Sequence, residues 1–583
     1  MANGTGKPKP AFFIAVLVVV VGLCGLAFYR CQGNKKTEPA LTGSGGSGSA
    51  FVDPRKDGSA AGQVEAAGSG VATTVTEYSY EPGSTLPPVP GTASYKALGK
   101  PRIVKFAVNV WAGWAPIIWA NQGYKPGKAW KDAKGGEFQI ELVLADDPVG
   151  MGNTVANGDA HIGWATVDML PLIIERLKKD PRTMPRVFQQ IDWSNGGDGI
   201  VVRNAIKDVS DLRGKTVVLA QNSPSHYFLL NMLLNGGVNP SEVKMRFTKD
   251  AFQAAAAYNQ NSDIAAVVSW APDIYNLTDN PKSGNKLLIT TQTANKLIAD
   301  VWFARADFAR DNPEIIEGLA RGIFDATEDL KTEANKDAVA KLMDDFYKLD
   351  PGTGKKMLGD AHWTNYAENR DFFLVASNPT NFERTYGTAQ LLYNKIKAVN
   401  SDVEFDKIMD FSVIKKLGSE PKYADSRNTY EFNFTPKSAK DINVESAIST
   451  KSVKVNFFPN SFDVFKKVAP PGGGPEVYYD GNIDYTIEEI AKTAGQYGAA
   501  RIVISGHTDS SMKGTADPQL VKELSEHRAN AVKQALLKKF PKLDPNQLVS
   551  TGYGWEKPAD PTDPDNHAKN RRVEVRVVPA EAQ

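Results

Sequence analysis

Residues 11–29, AFFIAVLVVVVGLCGLAFY, are nineteen consecutive residues without a charge. As a helix rising about 1.5 Å per residue they extend about 28 Å, close to the thickness of a bilayer's hydrocarbon core. The run predicts one transmembrane helix, an anchor within residues 1–30. The alternative, a cleaved signal peptide, calls for a shorter apolar core followed by a small-x-small site, and no such site follows. A lipid-modified cysteine also fits poorly, because Leu23 precedes Cys24 and Arg30 precedes Cys31. Lys7 and Lys9 lie before the run and Arg30, Lys35 and Lys36 after it, so flanking charge does not choose an orientation.

At 583 residues the chain is too long for one hydrophobic core, and several domains are expected. With 68 basic against 67 acidic residues and no basic stripe, nothing grips nucleic acid. Both cysteines sit in or beside the apolar run, so everything downstream lacks a disulfide framework and a thiolate metal site. The six histidines are scattered, and no HExxH, phosphate-cradling glycine loop or paired catalytic carboxylates occur, so we expect neither an enzyme nor a cofactor nor a metal.

Residues 31–98 are dominated by Gly, Ser, Ala, Thr and Pro and read as a flexible linker, with a root-mean-square reach of roughly 45 Å. Residues 99–420 alternate short β-branched runs, such as RIVKFAV, FQIELVLA and KTVVLA, with helical patterns such as MLPLIIERLKK; this predicts α/β layers around largely parallel sheets. A second linker is expected over 421–450. Residues 451–583 predict a β-α-β-α-β-β unit that starts with the strand KVNFF, has Ile487, Ile490, Ala491 and Ala494 on one helix face, and ends with Val573, Val575 and Val577 alternating with charges.

In that unit Asp509 lies at the mouth of the strand RIVIS. Arg528 interrupts the apolar stripe Val521, Leu524, Val532, Ala535 of the following helix. A half-buried guanidinium needs a partner, and either an internal salt bridge or a ligand answers that need. The motifs GHTDSSMKG, LSEHRANAV, GYGWEKP and NRRVEVRV resemble, in order, those of the OmpA-like peptidoglycan-binding domain. The resemblance implies that Asp509 and Arg528 hold the amino and carboxylate groups of diaminopimelate in the stem peptide, with Asn570 and Arg572 beside them. It also implies that the C-terminal side of the membrane segment is periplasmic. FDVFKKVAPPGGGPEVYYDGNID is an insertion after the first strand.

Nine of the ten tryptophans fall within residues 101–420, and Trp111, Trp164, Trp193 and Trp270 close strand candidates, where ligands of open α/β sheets sit. Filling of the lobe cores explains any one of them as well. The turn at Ser223, Ser225 and His226 enters a helix and suits either an anion or an ordinary cap. VWAGWAPIIWANQGY, VANGDAHIGWATVD, IKDVSDLRGKTVVLAQNSPSHYFLLNMLL and AAVVSWAPD resemble ABC-transporter substrate-binding proteins of the nitrate, sulfonate, bicarbonate and thiamine-precursor group. This implies a two-lobed type II periplasmic-binding-protein fold closing on a small solute, an anion among the candidates. The implied cleft residues are Trp111, Trp114, Trp164, Ser223, Ser225, His226, Trp270 and Asp273. His161 stands where aspartate is usual.

The sequence therefore reads as a periplasmic solute receptor fixed to the inner membrane by one helix and to peptidoglycan by its C-terminal domain, serving an ABC permease. The alternative is a structural tether or stator-like protein whose middle domain has lost its solute. Residues 11–29 contain no carboxylate, which argues against a proton-driven stator. A reporter fused after Gln583 is expected to be active only in the periplasm, on a mature chain that retains residues 11–29. N-terminal sequencing that begins beyond residue 30 would overturn the anchor.

Overall fold

The computed structural model describes residues 73–580 except 84–85, 401, 459–460 and 471, together with 65–66. The expected anchor and the linker before residue 65 lie outside the described residues. Among the described residues no helix is long and apolar enough to cross a membrane. The chain divides into two compact units, Met1–Gly48 and Ser49–Gln583, and every described residue belongs to the second.

Two mixed sheets form the middle region. The first has seven strands in the order 361–363, 185–194, 299–305, 162–166, 103–108, 137–144, 130–131. The second has six, in the order 285–290, 198–203, 266–270, 216–220, 244–248, 80–81. The chain enters the second lobe after Ser194 and returns at Ala299, so two crossovers form the hinge. In each sheet three strands run parallel and the flanking ones antiparallel, a more mixed arrangement than the alternation of patterns predicts.

The second sheet is apolar on both sides. Val201, Val218 and Val267 join the core of the first lobe, with the helix Ala251–Gln260 between. Their neighbours Ile200, Val202, Val217, Leu219, Ala266 and Val268 face the helix Pro224–Asn235 and a second core. Period-two alternation thus feeds two different cores from the same strands.

That second core runs on into the C-terminal domain. It includes Ile483, Ile487, Ile490, Ala491 and Ala494 of the helix Ile483–Gln496, the face expected from spacing, and Val573, Val575 and Val577 of the last strand. At the junction Tyr497 is buried, with Asn235 Nδ2 donating to its hydroxyl at 3.3 Å. Ser449 Oγ donates to the Asn235 carbonyl at 3.0 Å. The C-terminal sheet has the order 449–453, 572–579, 500–507, 548–552, with helices 483–496 and 518–539 in the expected places. The insertion carries a small ribbon, 467–468 against 477–478.

Three boundaries differ from expectation. The first C-terminal strand is Ser449–Val453, paired with 573–577, while KVNFF has left the sheet and sends Phe457 against the Arg528 guanidinium, 4.9 Å from ring centroid to Cζ. Residues from 73 onward, expected within the linker, are packed on the lobes. Tyr78 and Tyr80 are buried, Tyr80 and Glu81 pair with Thr248 and Phe247, and the Ala93 carbonyl accepts from Arg305 Nη2 at 2.6 Å. Two tyrosines supply enough apolar area to dock an otherwise small-residue segment. In the segment 421–450, also expected as a linker, Tyr430, Phe434 and Ile442 are buried.

The helix Pro518–Lys539 lies so close to the sheet that a Cβ at Gly506 would overlap the Ser525 carbonyl, which accounts for glycine at the head of GHTD. Gly506→Ala is expected to cost about 1–3 kcal/mol, the usual range for overpacking, and to lower the melting temperature of the full chain. An unchanged melting temperature would show that this helix shifts freely.

Candidate functional site

Asp509 and Arg528 line one cavity of about 490 Å³ at the carboxyl end of the strand Ala500–His507. The strand's end and the Ser511 turn position the carboxylate; the half-buried face of the helix positions the guanidinium. Ser511 N–H donates to Asp509 Oδ1 at 2.9 Å, and its hydroxyl donates to the same oxygen. Arg571 Nη1 lies 3.1 Å from Oδ2, and His567 Nδ1 lies 3.9 Å from Oδ1. Burial pushes the Asp509 carboxyl up, but the Ser511 bonds and the charges of Arg571 and His567 outweigh it and hold the group below its ordinary range.

Arg528 makes no ion pair with Asp509. Its Nε donates to the Ser461 carbonyl at 3.1 Å, and among the described residues its terminal nitrogens have no hydrogen-bond acceptor. Burial and the neighbouring charge of Arg571 ease its proton affinity down, opposed by Asp509. An anion and a cation thus face one cavity without neutralising each other.

The other two expected residues behave differently. Asn570 is a loop staple: its Nδ2 donates to the Pro564 carbonyl at 2.7 Å and its Oδ1 accepts from Ala559 N–H at 2.8 Å. Arg572 lines the cavity but is tied at 2.6 Å to Glu574, which also pairs with Arg576. The charged face of the last strand is therefore internal. Burial raises the Glu574 carboxyl, but His507 and the arginines overcome it and bring it to about 2. Sequence reasoning missed Arg571, whose exposed side chain reaches Asp509; its adjacency to Arg572 in NRRVEV was the available signal.

The residues expected to hold a solute fall into two groups. Trp114 and Trp164 are fully buried, with indole N–H groups bonded to Asn109 Oδ1 and the Ala145 carbonyl, each at 2.8 Å. Neither has a polar atom left for a ligand. His161 is likewise structural, accepting from Lys105 N–H and bonded to the Lys96 carbonyl. Ser223 turns its hydroxyl back to the Ala220 carbonyl, and His226 Nδ1 accepts from Asn222 N–H at 3.2 Å. Ser225 Oγ is buried with no hydrogen-bond partner among the described residues.

Trp111, Trp270 and Asp273 gather near the hinge. Trp111 Nε1 donates to Asp192 Oδ2 at 3.0 Å, and its ring lies over Gly197 beside Asp360. Trp270 is the register partner of Asp198. Asp273 accepts from Thr74 and Asn276, and burial raises its carboxyl to about 6. The acids at the hinge, Asp168, Asp192, Asp198, Asp300 and Asp360, were not foreseen. DWSNGGDG, with two carboxylates around a glycine pair, was the one signal available for them.

The NMT1/THI5 like family model matches residues 137–335, and the OmpA family model matches residues 480–572. The taurine-binding periplasmic protein of Escherichia coli (strain K12) is 28% identical over 220 residues, 37% of this chain and 65% of that protein. Outer membrane porin F of Pseudomonas fluorescens is 34% identical over 117 residues, 20% of this chain and 31% of that protein. The chain thus spans just under two thirds of the first relative and under one third of the second. Among solved structures, the alkanesulfonate-binding protein SsuA from Xanthomonas axonopodis pv. citri is 14% identical, with 55% of this chain and 100% of that chain covered at a TM-score of 0.41. The chain is a fusion of an NMT1/THI5-like binding-protein domain with a C-terminal OmpA-family domain.

Proposed function

We propose that this chain is a solute receptor held at the cell wall. Its C-terminal domain grips the diaminopimelate centre of peptidoglycan, its lobes bind a small solute for an ABC permease, and the apolar run at 11–29 anchors it in the inner membrane with its bulk in the periplasm. The observation that carries the wall-binding reading is the pairing of Asp509 and Arg528 on one cavity with no ion pair between them. A zwitterionic amino-acid centre offers the complementary ammonium and carboxylate. Similarity to a taurine-binding periplasmic protein supports a solute role for the lobes. Binding rather than catalysis is favoured, since Ser223 and His226 engage backbone groups rather than each other.

The full chain is expected to sediment with purified sacculi. Asp509→Ala and Arg528→Ala should each weaken this more than tenfold, because removing one partner of a charged, hydrogen-bonded contact costs about 2–5 kcal/mol. Intact co-sedimentation together with a lowered melting temperature would assign both residues to stability instead.

A further inference from the structure

The chain from Phe457 to Asp480, most of it the insertion after the first C-terminal strand, walls one side of the cavity that holds Asp509 and Arg528. Phe457 and Tyr479 line the cavity, and the Ser461 carbonyl holds the Arg528 guanidinium. Two aromatic side chains of this segment turn inward and their chain neighbours turn out. Phe457 packs on the second core and over Arg528, while Phe458 is 39% exposed. Tyr478 packs on the same core against Phe465, ring centroids 5.7 Å apart, while Tyr479 is 42% exposed. The two outward rings meet edge to face at 5.4 Å, and the exposed Met512 borders the same cavity.

These rings are held in place from below. The buried Asp480 carboxylate accepts from Asn456 N–H at 2.8 Å and from Asn482 N–H at 3.0 Å, which ties the chain before Phe458 to the chain after Tyr479. Tyr479 N–H also donates to the Lys466 carbonyl at 2.8 Å. A pinned backbone thus presents adjoining aromatic faces to solvent at the mouth of a charged cavity. Contiguous exposed apolar surface of this kind marks a contact site, where single scattered residues would not, and a fixed backbone lowers the entropy cost of using it.

Resting on the wall-binding reading above, we infer that this aromatic rim is a second subsite, for the glycan strand of peptidoglycan: Phe458 and Tyr479 pack against a sugar ring while Asp509 and Arg528 hold the stem peptide. Covalent continuity chooses the occupant. The diaminopimelate centre is separated from N-acetylmuramic acid by its own side chain, two residues and a lactyl group, roughly 15 Å when fully extended. A sugar on a peptide held in the cavity is therefore within reach of the cavity's border. A pyranose ring carries C–H groups on its faces and hydroxyls at its edge, so it suits a flat apolar ring that stays open to water on one side.

The test is calorimetry on the full chain with two soluble wall fragments, the free tetrapeptide L-Ala-γ-D-Glu-meso-diaminopimelate-D-Ala and the same peptide carried on its N-acetylglucosaminyl-N-acetylmuramic acid disaccharide. The disaccharide peptide is expected to bind about fivefold tighter than the free peptide, the scale of one aromatic contact. Phe458→Ala and Tyr479→Ala should each remove most of that gap at an unchanged melting temperature. Tyr485→Ala, at an exposed tyrosine that does not line this cavity, should preserve it. Equal affinities in the unsubstituted chain would overturn the glycan subsite and leave the stem-peptide reading standing; self-association lost in the same two variants would then give the rim to a second copy of this chain. Binding of neither fragment would overturn both readings.

Discussion

The interaction on which the molecule depends is the apolar core shared by the second lobe and the C-terminal domain. The helix Pro224–Asn235 has the second sheet on one side and the C-terminal helix Ile483–Gln496, with Tyr497, on the other. At the rim Arg384 pairs with Glu488 at 2.9 Å, a partly solvated pair worth about 0–1 kcal/mol, and Lys542 pairs with the buried Asp371 at 2.7 Å. A buried tyrosine and its apolar neighbours outweigh them. The cavity holding Asp509 and Arg528 is therefore part of a continuous solid with the solute lobes, and the residues expected to link the two domains loosely are themselves packed.

Most of the architecture was legible because it follows apolar period. The strands RIVKFAV, KTVVLA and DGIVVR, and the helix face Ile487, Ile490, Ala491, Ala494, fall where alternation places them. What escaped was structure whose interior is polar. Of the ten-residue strand Pro185–Ser194 only the end at Trp193 was marked, because burial of Gln189, Gln190, Asp192 and Ser194 leaves neither an apolar run nor clean alternation. The strand at 80–81 hides in a small-residue segment and is stable only through its pairing to 247–248. Of the site residues, Asp509 and Arg528 were legible because a charge on an apolar stripe is an anomaly in one dimension. The hinge acids were not: each looks ordinary in its own segment, and they approach one another only when distant strands of the first sheet pair.

The two sites solve opposite electrostatic problems. In the C-terminal cavity an anion and a cation are kept apart by separate tethers, Arg571 and Ser511 for Asp509 and the Ser461 carbonyl for Arg528, so neither neutralises the other. At the hinge the titratable groups are all acids, and burial first, with their mutual repulsion second, raises the proton affinity of Asp192 and Asp300.

The geometry also ties the hinge to the C-terminal domain. Tyr275 of the second lobe bonds Asp360 of the first across the cleft. The C-terminal domain touches the second lobe through Tyr497 and Asn235, and touches the helix Tyr366–Leu374, which packs on the first sheet, through Lys542 and Asp371. A rigid-body opening of the lobes cannot preserve both sets of contacts. The shared apolar core is the stronger of the two, so an opening that leaves Tyr497 in place breaks the Lys542–Asp371 pair. The C-terminal domain then moves with the second lobe, and the first lobe swings against both.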